Sequence, residues 1–298
     1  ENGDLEEGDE VIVPATTFVT VVSPVIQLGL VPVYVDVDAS TFNINPAEIE
    51  KAVNPGKTKA IMVVHTLGYP ADMDEIMKIA KKHNLKVIED CCEAHGAMFR
   101  GQKAGSFGDL ATFSFYVAHN ITTGEGGMVL TNSEKYFEIV SELCEFGRVK
   151  SYKGARFGYS DEHLREYDER YVFHRLGYNF RMADPAAAFG IEQLKKLDQM
   201  NSQRLRNARF YIDNFAGEIA TYFQIPSLGD PRIAHAFYGF CMVIKPNTRL
   251  LRSNLVRFLE SKGIEVRALF CSSLPDQPCF QHAPGRITGS LPVSRFLR

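Results

Sequence analysis

The chain has 298 residues, 45% hydrophobic and 23% charged, the profile of an ordinary globular protein of about two domains. Its 33 basic and 36 acidic residues leave a formal charge of −3, which argues against a dedicated nucleic-acid surface, because that needs clustered Lys and Arg. No apolar run approaches the ~18 residues that cross a bilayer, and the acidic, polar stretch Glu1–Glu10 lacks the basic-then-apolar lead of a secretory signal.

In chain order, apolar bursts at Val11–Val13, Val31–Val37, Ala60–Val64, Lys86–Ile88, Ala111–Tyr116 and Met128–Thr131 read as short buried strands. Between them lie helices with recognisable ends. Asn45 before Pro46 is an N-cap with proline at the first helical position, opening Pro46–Val53. In Asp72–His83, the residues Ile76, Ile79, Ala80 and His83 share one helical face. Ser133 caps a helix running to about Phe146. This alternation predicts a three-layer α/β fold with a mainly parallel sheet. Residues 147–180, rich in Tyr, Arg and Gly with a charged cluster at Asp161–Arg170, read as a long functional loop. A long helix is predicted from Asp184–Pro185 to about Phe215. The strand Phe237–Ile244, the helix Leu250–Lys262 and the strand Ile264–Phe270 then suggest a smaller α+β domain. The boundary falls near residue 215, giving a large domain over 1–215 and a small one over 216–298.

Six cysteines (91, 92, 144, 241, 271 and 279), none in CxxC or CxC spacing, make no disulfide framework, and a reducing cytoplasm is the default expectation.

Ligands of open α/β sheets bind outside the carboxyl ends of the strands. The predicted strand ends here deliver Glu89–Asp90–Cys91–Cys92–Glu93–Ala94–His95, then Ser114 with Tyr116 and His119, and Thr16–Thr17–Phe18. Three acids, two histidines, a serine and two aromatic rings thus converge on one edge. Each has a plain alternative: Asp90 as a helix cap, Phe18 as core, Gly124–Gly127 as a simple turn.

Order and spacing go further. GDEVIVPATTF, PVYVDVD, KAIMVVHTLGYPADMDEI, VIEDCCEAHGA, GSFGDLATFSFYVAHNITTGEGGMVLT and GYNFRMADPAAAFGIEQL resemble the DegT/DnrJ/StrS family, pyridoxal-phosphate (PLP) enzymes of the fold-type-I aminotransferase class that act on nucleotide-linked keto sugars. The resemblance runs from about Gly8 to Gln193 and more loosely beyond. It implies an α/β/α large domain with a smaller C-terminal α+β domain. It also implies an earlier helix and phosphate-contacting loop before GDEV and a longer small domain, so the chain reads as a fragment. By resemblance, Asp90 pairs with the pyridine nitrogen and keeps it protonated. Ser114 donates to the cofactor phosphate. Phe18 stacks on one ring face, and Cys92 packs against the other. Asn179 reaches the phosphate from the neighbouring subunit of a homodimer with shared sites; its alternative is a loop-capping amide. His65 and His95 are expected to be buried and hydrogen-bonded.

One position departs from the family. Its aminotransferases read SF-x-x-x-K-N-x-T-x-G-E-G-G, with the lysine holding PLP as a Schiff base, whereas this chain reads SFYVAHNITTGEGG, with His119 in that place. An imidazole has no primary amine and cannot form that bond. The resemblance therefore narrows to the branch of pyridoxamine-phosphate (PMP) dependent dehydrases that remove the C3 hydroxyl of nucleotide 4-keto-6-deoxyhexoses, with the histidine as general base. An unperturbed imidazole, at ~6.5, can take and return a proton near neutrality. Glu93, where the aminotransferases have Gln, and Tyr116 are the next candidates to assist. Part of this branch carries a [2Fe–2S] cluster. Here Lys150 and Tyr152 stand where its C-x-C pair would be, so no cluster is expected, and PMP would be restored from an amino donor such as glutamate. The alternatives are a sugar aminotransferase with another proton route, and a non-catalytic binding protein on the same fold.

Overall fold

The computed structural model describes residues 4–148 and 168–297, apart from 216, 218, 227 and 247. Seven strands form one sheet: β1 (Glu10–Pro14), β2 (Val31–Val35), β3 (Thr58–Val64), β4 (Lys86–Asp90), β5 (Leu110–Ser114), β6 (Gly127–Leu130) and β7 (Arg286–Ile287), in the order β7-β2-β1-β3-β4-β5-β6. Every neighbouring pair is parallel except β5 and β6, which run antiparallel. This is the mainly parallel sheet that the strand–helix alternation predicts.

The pleat of β1 sends alternate residues to opposite faces. Ile12 joins Val33, Val35, Ile61, Val63 and Val87 beneath the helices Pro46–Ala52 and Met73–His83. Val11 and Val13 join Tyr34, Ala60 and Val64 on the other face, covered by Val21, Val22, Val25, Leu274 and Leu291. The helices begin where their caps say. The Asn45 side chain accepts from Ala47 N at 3.0 Å, the Asp72 side chain from Glu75 N at 3.4 Å, and the Ser133 side chain from Tyr136 N at 3.4 Å. Met73, Ile76 and Ile79 of the second helix are buried, each contributing roughly 1.5–3 kcal/mol. Asn84, at φ 54°, ends that helix in the left-handed region.

Four expectations are corrected. The long helix from Asp184 is two, Asp184–Leu194 and Leu197–Phe215; at the join Lys196 N bonds Gln193 O, three residues back, in a tightened turn. Phe237–Ile244 is not one strand. Phe237 sits at φ 45°, which turns the chain, and only Val243–Ile244 pairs, antiparallel with Phe223–Gln224. Ile264–Phe270 is irregular, and Ile264 is exposed, with no strand pairing the segment among the described residues. The strand Ala111–Tyr116 ends at Ser114, which frees Phe115 and Tyr116 for the loop that follows.

The end of the chain returns to the large sheet. Arg286 grips Glu10 at 3.2 and 2.7 Å beside the β7–β2 pairing, and Asp36 accepts from Val293 N, Ser294 N and Ser294 Oγ at 2.9, 2.8 and 2.6 Å. Of the loop 147–180, the stretch 149–167 lies outside the described residues, including Lys150, Tyr152 and most of the charged cluster. No helix among the described residues is long and apolar enough to cross a membrane.

Candidate active site

The ends of β1, β4 and β5 bring the candidates to one edge. Asp90 is the last residue of β4, in register with Val64 and Thr112. Its Oδ1 accepts from Cys92 N at 3.0 Å, and no basic side chain pairs with it among the described residues. Cys92, two residues on, is half-buried; burial, with the Asp90 charge added, raises its thiol far above the ordinary range. Such a thiol is a packing group, not a nucleophile.

Glu93 is buried, and its Oε2 accepts from Leu67 N at 2.6 Å. Burial pushes its carboxyl up to about 7, with the Asp90 charge adding and the Leu67 N–H opposing. A carboxyl poised near neutrality is the kind of group that moves protons.

Ser114 closes β5, and its Oγ accepts from Tyr116 N at 3.2 Å. The chain then turns, with His119 N bonding Tyr116 O at 3.0 Å. His119 is half-buried, and its Nδ1 is sealed from solvent. Burial holds its imidazole below the ordinary range, while the Asp90 charge and the Ser114 backbone oppose. The GEGG turn that follows needs its glycine: a Cβ on Gly126 would run into Thr123 Oγ1 and, at 2.8 Å, Met182 Cε.

Phe18 projects beyond β1 with 56% of its surface exposed, as a ring laid open at the strand ends and not as core. Tyr116 is 45% exposed, its ring edge-on to His119 with centroids 5.9 Å apart. Asn179 is exposed, bridged to Glu145 through the backbone, and accepts from Arg181 Nε at 3.1 Å. The rings of its chain neighbours Tyr178 and Phe180 stack on each other with centroids 4.8 Å apart.

His95 is buried against Phe113 and Phe115, and burial, with His119 nearby, depresses its imidazole to about 4. His65 is fully buried. It accepts from Ala71 N at Nδ1 (3.0 Å) and so donates from Nε2 to Glu89 at 3.0 Å. Glu89 also takes the N–H groups of Gly105, Phe107 and Gly108 at 2.7–2.8 Å. With Cys91, these residues are close enough to hold a metal ion, but their donors and acceptors are already spent on one another and on the backbone.

Three contributors are not singled out by the sequence, although Asn120 belongs to the family's SF-x-x-x-K-N-x-T motif. Tyr238 sits edge-on to His119 with centroids 5.4 Å apart. Asn120 Nδ2 reaches Asn201 Oδ1 at 3.2 Å and Ala236 O at 3.3 Å. Arg204 Nη1 holds Tyr238 O at 2.9 Å. Tyr238 lies in an apolar run that reads as strand, and Arg204 on a helix that reads as surface.

The strand-end group fits a pyridoxal-type cofactor. It offers a carboxylate with no basic partner, an open ring, a hydroxyl at a strand end and a glycine turn.

Comparison with known proteins gives the same direction. The pattern of the DegT/DnrJ/EryC1/StrS aminotransferase family matches residues 1–297. The lipopolysaccharide biosynthesis protein RfbH of Salmonella typhimurium is 40% identical over 298 residues, covering 96% of this chain and 67% of that protein. The dTDP-4-dehydro-2,6-dideoxy-D-glucose 3-dehydratase of Saccharopolyspora spinosa is 40% identical over 295 residues, covering 96% of this chain and 63% of that one. Among solved structures, the E. coli GDP-4-keto-6-deoxy-D-mannose-3-dehydratase with bound hydrated PLP superposes with a TM-score of 0.89 at 32% identity, covering 100% of this chain and 75% of that one. The chain thus spans about two thirds of the length of these two relatives.

Proposed function

The chain belongs to the DegT/DnrJ/EryC1/StrS aminotransferase family with the fold-type-I α/β/α architecture, and we propose that it is a PMP/PLP-dependent dehydratase that removes the C3 hydroxyl of a nucleotide-linked 4-keto-6-deoxyhexose. The observation that carries this reading is His119. It occupies the lysine position of the aminotransferases, at the same strand edge as Asp90, Glu93 and Ser114. The 3-dehydratase names borne by relatives support it, as does RfbH for a role in making deoxysugars of surface polysaccharides.

PMP, when bound, supplies an amine for the keto carbon and a ring that accepts electrons. The chain supplies the rest. Asp90 would pair with the ring nitrogen, where its charge would favour a proton. Ser114 Oγ would donate to the phosphate, Phe18 would cover one ring face, and Cys92 would pack against the other. His119 takes and returns a proton at Nε2, because Nδ1 is sealed. Its lowered pKa keeps it in the neutral, proton-accepting form at pH 7. Glu93, near 7, holds a proton that it can pass towards the departing hydroxyl, and Tyr116 borders the same space.

A homodimer with shared sites completes the reading, with Asn179 reaching the partner's cofactor phosphate. In the loop that holds Asn179 the side chains of Phe173, Leu176, Tyr178 and Phe180 are exposed, as are Phe189, Ile191 and Leu194 of the helix Asp184–Leu194, and so many exposed apolar side chains are normally covered. Work in the cytoplasm suits six unpaired cysteines.

The test is to incubate the protein with PMP, glutamate and GDP-, CDP- or dTDP-linked 4-keto-6-deoxy sugars, and to follow the products by mass spectrometry. A sugar product lacking one oxygen atom, with the C3 hydroxyl replaced by hydrogen, is expected together with release of ammonia and conversion of glutamate to its keto acid, which supplies the two electrons through PMP. A product that gains an amino group without losing the C3 oxygen would make the protein an aminotransferase.

A further inference from the structure

We propose that Tyr238 is a positioning residue for His119: its ring, carried on a backbone pinned to the Leu67 turn and to Arg204, sets the orientation of the imidazole and keeps water from it. The proposal rests on the dehydratase reading for the task of His119, but the contact itself does not.

Two tyrosine rings meet the imidazole edge-on, Tyr238 at 5.4 Å and 61°, and Tyr116 at 5.9 Å and 73°. They differ in mounting. Tyr116 belongs to the same turn as His119 and is half exposed, so it moves with the imidazole and cannot fix it. Tyr238 comes from a distant part of the chain and is held on three sides. Its N–H donates to Leu67 O at 2.9 Å, and Ala236 N donates to Gly68 O at 2.9 Å. Arg204 Nη1 reaches Phe237 O at 3.2 Å and Tyr238 O at 2.9 Å. Asn120, next to His119, donates to Ala236 O at 3.3 Å and ties the two segments together. Phe237 stays at φ 45°, a conformation that persists only where the surroundings over-determine it. The backbone that carries the ring is thus anchored, the ring stands as a wall beside His119, and the edge-on geometry gives the pair a preferred angle.

A general base must lie within hydrogen-bond reach of its proton, and a displacement of about 1 Å can cost ~10²-fold in rate. Removing the wall should therefore lower kcat while leaving substrate binding nearly unchanged. The charged or titratable groups facing His119 are Asp90, His95 and the two tyrosines. Of these, only Tyr238 is removed in the variants below, so loss of its cover lets water in and lifts the imidazole towards its ordinary value.

The experiment compares Tyr238→Ala, Tyr238→Leu and Tyr238→Phe, each checked for folding by circular dichroism. Histidine Hε1 signals are titrated by NMR in the cofactor-free protein, with His119 assigned by its loss in His119→Ala. Expected in the Ala variant are a His119 titration at higher pH than native and a kcat about 10- to 100-fold lower with KM little changed. Its acid limb of kcat should also move to higher pH. Phe should restore all three. Should Ala fail to fold, Leu carries the test, with the same loss of kcat and rescue by Phe. Folded Ala or Leu variants with native kcat and native titration would overturn the proposal, as would a Phe variant as impaired as Ala, since that assigns the role to the hydroxyl. A shifted titration in a protein that, even unmutated, dehydrates no keto sugar would leave the contact standing and sink the dehydratase reading.

Discussion

Glu93 Oε2 accepts the backbone N–H of Leu67 at 2.6 Å, and Leu67 holds a φ of 55°. A leucine pays sterically for that conformation, and the carboxyl is one of the groups that fixes it. Beside it, Gly68 at φ 84° leaves no room for a side chain: a Cβ there would lie 2.8 Å from Glu93 O and 3.0 Å from Ala236 Cβ. One turn therefore seats the acid through its Leu67 N–H and Tyr238 through its Leu67 carbonyl, which links the two halves of the candidate site.

The raised carboxyl of Glu93 gives a pH signature. A carboxyl near 4.5 when unfolded and about 7 when folded binds its proton more tightly in the native state. Stability then falls as pH rises from about 4.5 to 7, and the penalty is complete above that range, at most about 3 kcal/mol. Glu93→Gln keeps an acceptor for Leu67 N and has no such penalty. Its stability relative to native, from urea unfolding at pH 5 and pH 8, should improve at the higher pH, while turnover falls. A difference independent of pH would remove the shift from the argument.

Glu89 behaves in the opposite sense. Burial alone would raise its carboxyl, but His65 and the Gly108 and Gly105 N–H groups outweigh it and hold it below 4.5. Its stabilisation is complete above about pH 4.5 and lost as pH falls through the lowered folded value. Glu89→Gln places an NH₂ against those donors and should cost about 3–5 kcal/mol at pH 7. Chemical denaturation checks it, and a cost below 1 kcal/mol would show that the cluster is not the anchor of this edge.

What the sequence made legible was local. The strand bursts and the caps at Asn45 and Ser133 each follow from a pattern within a few residues, and Asp90, Ser114 and Phe18 are found because each lies at or beyond the end of such a strand. What it hid depends on distant partners. Arg286 meets Glu10 from the far end of the chain, and nothing in Arg286–Ile287 says strand. Tyr238 reads as one more strand residue until Phe237 turns the chain and Leu67 receives it. The apolar run Ile264–Phe270 misleads because apolar patterning needs a neighbouring strand to become a ladder, and no strand among the described residues pairs with it.

Asp90 is tested by an isosteric change. Asp90→Asn retains size and the acceptor for Cys92 N but carries no charge to hold a proton on a ring nitrogen. Cofactor binding should persist, with turnover down about 10²-fold, the worth of ~3 kcal/mol in a charge-assisted hydrogen bond. Wild-type turnover would mean that another group serves the nitrogen.

His119 carries the central inference, and two variants separate its roles. His119→Ala should bind PMP yet lose most dehydration, since a placed general base contributes about 10²–10⁴-fold. His119→Lys restores the primary amine found in the aminotransferases at that position. With PLP it should turn yellow and form a covalent link that borohydride traps on residue 119, whereas the native protein should not. The pH profile adds an independent check. Because burial holds the imidazole below its ordinary value, the native acid limb should lie below pH 6.5 and vanish in the Ala variant. Native-rate dehydration by His119→Ala would take the histidine out of the mechanism. Borohydride trapping of the native protein on another lysine would favour the aminotransferase reading.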